Sequence, residues 1–164
     1  RGLDQTANYE IFTNLGTNQR MTEVQALMGV AQLKRVEASV AHRNQIAQTY
    51  AEVLRPGIDA KELHLLPAPR GDRHAYWRFV VVLDGDRPRE YIAKVMEEAS
   101  IKVDWPYEPL VHLQPVMRRM FGYMEGSLPR SEALATRHLC LPIHRCINVA
   151  DAQFIAVKLL ESIQ

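Results

Sequence analysis

From Thr22 to Leu54 the chain carries one helical pattern, longer than a small single core ordinarily absorbs. Thr22 is a good N-cap, and Gln25, three residues on, completes a capping-box pattern that satisfies amides left orphaned at a helix start. From Val24 to Leu33 apolar residues stand almost all round, which predicts burial on more than one side. Farther along, Leu33, Val36, Val40, Ala47, Tyr50 and Leu54 mark a single apolar stripe. Arg43, Asn44 and Gln45 interrupt it and predict a bend or a change of partners. Pro56-Gly57 is the stop signal. Residues 22–55 therefore read as a linking helix that bridges two domains or subunits.

Residues 56–164 read as a small α+β domain, a three- to four-stranded sheet packed with helices. Ala75 to Leu83 is aromatic and β-branched, and predicts a largely buried strand. Gly85-Asp86 turns the chain, and Pro88 opens a helix to about Ala99 with Tyr91, Val95 and Met96 on its inner face. Ile101 to Trp105 is read as a second strand, Pro115 to Phe121 as a short helix, and Gly122 and Gly126 as loop markers. Pro129 opens another helix, and His138 to Leu141 forms a third strand. Asn148 with Asp151 caps a final helix whose apolar positions include Phe154, Val157, Leu160 and Ile163. Residues 1–21 lack any clear period. The chain begins at Arg1 without methionine, as a chain cut from the middle of a larger protein would.

Charge and cysteine content exclude several classes. Twenty basic against nineteen acidic residues leave no electrostatic footprint for nucleic acid or anionic lipid. The most apolar stretch, Phe79 to Leu83, is too short to cross a bilayer. Two cysteines, Cys140 and Cys146, with no signal peptide in view, predict a reducing, cytoplasmic setting. His138-Leu139-Cys140 and His144-Arg145-Cys146 raise a metal site. Their one-residue gaps differ from the usual chelating spacing, and Pro142 would have to turn the chain sharply between the pairs. No metal is expected.

The chemistry-bearing residues fall in four ordered motifs. Gly16-Thr17-Asn18-Gln19-Arg20-Met21-Thr22-Glu23, continuing to Gln25-Ala26, Gly29 and Gln32-Leu33, resembles the G-x-N-x-R-M-T-E…Q-A-x-x-G…Q-L signature of DegT/StrS-type sugar aminotransferases. Tyr107 to Pro115 is similar to that family's Y-x-P-L-H-x-Q-P segment, with Val111 as an extra residue. Phe121-Gly122-Tyr123 with Leu128-Pro129 and Glu132, and then Leu139 to His144, resemble its F-G-Y…L-P-x-x-E and L-S-L-P-x-H tail. The resemblance implies part of an α/β, fold type I enzyme using pyridoxal phosphate. Residues 1–21 would then be the end of a missing cofactor domain. It implies that Asn18 reaches across a homodimer to the phosphate of the partner subunit's cofactor, where a charge-assisted amide bond beside a helix N-terminus is favourable. It also implies that Tyr107 and His112 lie near the mouth of the substrate cleft, and that Arg20 either approaches the substrate or pairs with an acidic group at the same interface. The substrates it implies are an amino-acid donor, commonly glutamate, and a nucleotide-linked keto-sugar acceptor, in amino-sugar, polysaccharide or antibiotic-sugar biosynthesis.

Catalysis with this cofactor requires a Schiff-base lysine and an acid for the pyridinium nitrogen. The five lysines, Lys34, Lys61, Lys94, Lys102 and Lys158, sit on predicted helices, in polar loops or at a turn. None has the setting that role demands, so no catalytic residue is expected in this chain, and alone it is expected to be inactive. The competing reading is a free-standing, non-catalytic binding or dimerisation module that docks through the apolar side of the long helix.

Overall fold

A computed structural model describes the backbone of residues 2–4 and 11–14, together with residues 20–67 and 73–164. Strands β1 (Gly2–Asp4) and β2 (Ile11–Asn14) pair antiparallel, with an irregularity between Gly2 and Leu3. The stretch read as lacking any period thus holds a ribbon. Strands of three and four residues are too short to display a readable alternation.

Helix α1 runs Glu23–Val53 without interruption. The capping box forms as predicted: the Thr22 amide donates to Gln25 Oε1 at 2.9 Å, and the Gln25 amide donates to Thr22 Oγ1 at 3.3 Å. The chain separates into two compact units, residues 1–37 and 38–164, with the division inside α1. In the first part of α1 the predicted burial is absent. Val24, Leu27, Met28 and Leu33 are exposed, Leu27 to 72%. Of the predicted stripe, Leu33 and Val36 are exposed while Ala47, Tyr50 and Leu54 are buried, joined by Ile46. The helix runs on through the polar interruption, which ties down a loop. Asn44 Nδ2 donates to the carbonyls of Val40 and His74, both at 2.8 Å, and Arg43 donates to that of Ala75.

Pro56 does not stop the helical run outright. It occupies the first turn of a second short helix, α2 (Arg55–Asp59). Gly57 there lies under close packing: a Cβ would lie 2.8 Å from Leu160 Cδ2 and 3.3 Å from Leu63 Cδ2, so a larger residue would push those side-chain ends aside. The sheet of the second unit is antiparallel, ordered β3 (Leu63–Leu65), β4 (Phe79–Leu83), β5 (His138–Leu141), with Leu63 opposite Leu83 and Phe79 opposite Leu141. β3 was not anticipated, since three residues give too little pattern. The predicted strand at Ile101–Trp105 contributes only a single bridge, Asp104 to Cys140. Residues 75–78 lie outside β4, and Tyr76 has a positive φ of 42° that no strand contains.

Helices α3 (Arg89–Glu98) and α6 (Val149–Ile163) supply the core with Ile92, Met96, Ile155, Ala156 and Leu159. On α3, Met96 is buried as read, and one position of the predicted inner face is corrected. Tyr91 points outward beneath Arg87 while Ile92 turns inward. On α6, Phe154 and Val157 are exposed, Ala152, Ile155, Ala156 and Leu159 are buried, and Leu160 and Ile163 pack partly buried against the core. Both apolar sets repeat with helical spacing, and tertiary packing selects between them. The Asn148–Asp151 capping box forms, with reciprocal bonds of 2.9 and 3.0 Å. Helices α4 (Pro115–Phe121) and α5 (Pro129–Ala135) follow their predicted bounds closely, and Gly122 closes α4 at φ 70°. Among the described residues, no helix is long and apolar enough to cross a membrane.

Candidate functional site

The segment between α3 and α4 carries the site, and a buried arginine organises it. Arg89 is the first residue of α3 and only 6% exposed. Its Nη2 lies 2.7 Å from Glu108 Oε1, its Nη1 donates to the Ala135 carbonyl at 2.6 Å, and its guanidinium stacks 4.4 Å from the Trp105 ring centre. The Arg89 guanidinium holds the Glu108 carboxyl below the usual carboxylate range, against a smaller effect of burial. Between Trp105 and Glu108 sits Tyr107, 61% exposed and with φ 75°, in the left-handed region that a side chain rarely adopts.

Past Pro109 a 3-10 turn, Val111–Leu113, carries His112. Its ring is buried, edge-on to Tyr123, and Nε2 lies 3.0 Å from Glu132 Oε1. An ionised carboxylate only accepts, so Nε2 bears the proton. Glu132 also accepts from the Gly126 amide at 2.8 Å and the Leu128 amide at 2.9 Å. Those two amides, ahead of the imidazole, hold its carboxyl below the ordinary range. Tyr107 and His112 line one cleft of about 500 Å³ together with Leu110, Tyr123, Leu128 and Ser131. In it the phenol is open and the imidazole is committed to Glu132.

Arg20 is exposed two residues before the cap of α1 and belongs to the first unit. Asn18 falls outside the described residues. The four residues of the suspected metal site have separate engagements. His138 faces the Ala135 carbonyl, Cys140 lies buried beside the Arg78–Asp104 pair, and His144 Nδ1 accepts from the Cys146 amide. Among the described residues, no three His, Cys, Asp or Glu side chains gather as a metal would require.

Sequence reasoning missed Arg89 and Glu108. A signal existed: a cation in the first turn of a helix opposes the dipole, so it calls for an anionic partner.

A second cleft, about 550 Å³, lies beside β5 and is lined by Trp77, Arg78, Lys102, Asp104, Cys140 and His144 among others. Its arginine and aspartate already pair with each other at 2.5 Å.

The model of the DegT/DnrJ/EryC1/StrS aminotransferase family matches residues 1–160. The chain belongs to that family. Among curated relatives, GDP-perosamine synthase of Caulobacter vibrioides is 30% identical, over 97% of this chain and 42% of that protein. The dTDP-3-amino-3,4,6-trideoxy-alpha-D-glucose transaminase of Micromonospora megalomicea is 31% identical, over 83% of this chain and 36% of its own length. The crystal structure of the aminotransferase TlmJ from Streptoalloteichus hindustanus superposes with a TM-score of 0.73 at 26% identity, covering 98% of this chain and 41% of that one. This DegT/DnrJ/EryC1/StrS chain thus spans well under half the length of the relatives it matches. Its helices and three-stranded antiparallel sheet are consistent with a fragment of a fold type I enzyme.

Proposed function

We propose that this chain is the helix-linked, C-terminal portion of a pyridoxal-phosphate-dependent aminotransferase. The whole enzyme moves an amino group from an amino acid, glutamate by preference, to a nucleotide-linked keto-sugar in amino-sugar, polysaccharide or antibiotic-sugar biosynthesis. The observation that carries this reading is the family match through residues 1–160, which takes in all four motifs. The nucleotide-sugar names of two relatives support the acceptor class.

The described residues do not themselves fit a pyridoxal phosphate pocket. Lys34, Lys61, Lys94 and Lys102 are exposed, and Lys158 pairs with Glu161. A Schiff-base lysine needs a desolvated, charge-tuned setting that none of them has. The chain on its own is therefore inactive in this reading, and its part is to complete and wall a site. Asn18 donates its side-chain amide to the cofactor phosphate of the other subunit in a homodimer, and a donor supplied in trans makes that dimer obligatory. Arg20 meets an anionic group of the substrate. Tyr107 presents its hydroxyl to the sugar, while His112, fixed by Glu132, shapes the cleft wall behind it. The assembly works in the cytoplasm.

The full-length protein, given glutamate and a panel of nucleotide-linked keto-sugars, should yield an amino-sugar detectable by mass spectrometry. No amine from any keto-sugar would sink the reading. Asn18→Ala should speed loss of pyridoxal phosphate on dialysis while leaving the melting temperature of the cofactor-free protein unchanged. Equal cofactor retention would remove the cross-subunit role.

A further inference from the structure

We infer that the Arg89–Glu108 pair is a positioning device for Tyr107, holding that ring at the cleft where the sugar acceptor is recognised. The inference rests on the keto-sugar reading above and adds a residue pair to it. Arg89 opposes the dipole of its own helix and is almost wholly buried, two unfavourable conditions. An apolar side chain of similar volume would often fill such a place with no loss of stability. What an arginine adds is a fixed fork that reaches several groups at once. Its partners here are Trp105, Glu108 and the Ala135 carbonyl, with a longer contact to the neighbouring Glu90, so one guanidinium joins the start of α3, the loop and the end of α5.

Tyr107 lies inside that grip, two residues after Trp105 and one before Glu108. Its φ of 75° is a conformation a tyrosine abandons unless both flanks are held. Arg89 holds both. Beyond Glu108, the Gln114 side chain donates to the Pro109 carbonyl at 2.7 Å and fixes the loop's exit. The tyrosine ring makes little use of this structure for itself. It is mostly exposed, and among the described residues its hydroxyl has no hydrogen-bond partner. Strained backbone that delivers an unsatisfied hydroxyl into a cleft is an arrangement for a ligand.

The test uses the full-length enzyme, with the donor and acceptor half-reactions measured separately. Glu108→Gln keeps the side chain's shape and removes the charge. It should raise the KM for the keto-sugar about tenfold, with kcat and the glutamate half-reaction within about twofold of wild type. Arg89→Lys, which keeps the charge and loses the fork, should lie between Glu108→Gln and wild type. Tyr107→Phe should raise the same KM. The double variant Tyr107→Phe/Glu108→Gln should be no worse than the poorer single variant, because the two act as one unit. Additive effects of the two substitutions, or a fall in the glutamate half-reaction equal to that with sugar, would reduce the pair to a structural role and overturn the inference. An unchanged sugar KM in both Glu108→Gln and Arg89→Lys would do the same. Wild-type enzyme that aminates no keto-sugar refutes the underlying reading instead, a result distinct from either.

Discussion

Tyr50 shows how much one buried side chain can carry. Its hydroxyl donates to the Pro142 carbonyl at 2.7 Å, and its ring lies 4.9 Å from that of Phe79. Burial, with the Asp151 charge behind it, pushes its ionisation above the ordinary tyrosine range. A group whose folded pKa is raised contributes stability that is complete below its unfolded value, roughly 10, and is lost as pH rises toward the folded one. Alkaline destabilisation should therefore begin above about pH 10, and Tyr50→Phe should flatten that limb. The same substitution should cost about 1–2 kcal/mol at neutral pH, read from denaturant midpoints, because the Pro142 carbonyl is left unpaired. On the acid side the sign reverses. Glu108 and Glu132 are held below the ordinary range, so their contribution stands above it and disappears as pH falls through the lowered values. Glu132→Gln should weaken the acid limb and speed amide exchange at Gly126 and Leu128.

Among the elements, α6 owes its start to a local code and its orientation to the rest of the fold. Asn148→Ala removes the cap acceptor and should cost about 1 kcal/mol in urea unfolding, with an unchanged m-value. That cap was legible because it depends on two residues three apart, and the same holds for Thr22 and Gln25 at α1. Which stripe of α6 faces inward was not legible. Phe154 and Val157 stay exposed while Ala152, Ile155, Ala156 and Leu159 are buried and Leu160 and Ile163 pack at the edge of the core, a choice that tertiary packing makes. The site behaves likewise. Tyr107 and His112 could be picked out by motif, and they do share a cleft. Arg89, nineteen residues from Glu108 along the chain, becomes visible only once the loop has folded back on α3.

For the whole molecule, the contrast along α1 explains the largest misreading. Periodicity records every surface a helix will meet in its complete setting, whereas exposure in a single chain counts only the partners present. The buried run from Ile46 to Leu54 and the bare run from Val24 to Leu33 belong to the same helix but to different units. The chain itself spans well under half the length of the relatives it matches.

The placement of the two thiols has a practical consequence. Cys140 is buried on β5, where burial pushes its thiol above the ordinary range, while Cys146 lies open on the following loop. A maleimide should therefore couple once per folded chain, at Cys146, and a second equivalent should enter only on global unfolding. Counting adducts by intact mass along a urea gradient turns this pair into a built-in gauge of β5 integrity. A second adduct appearing before the main transition would mean that β5 opens locally.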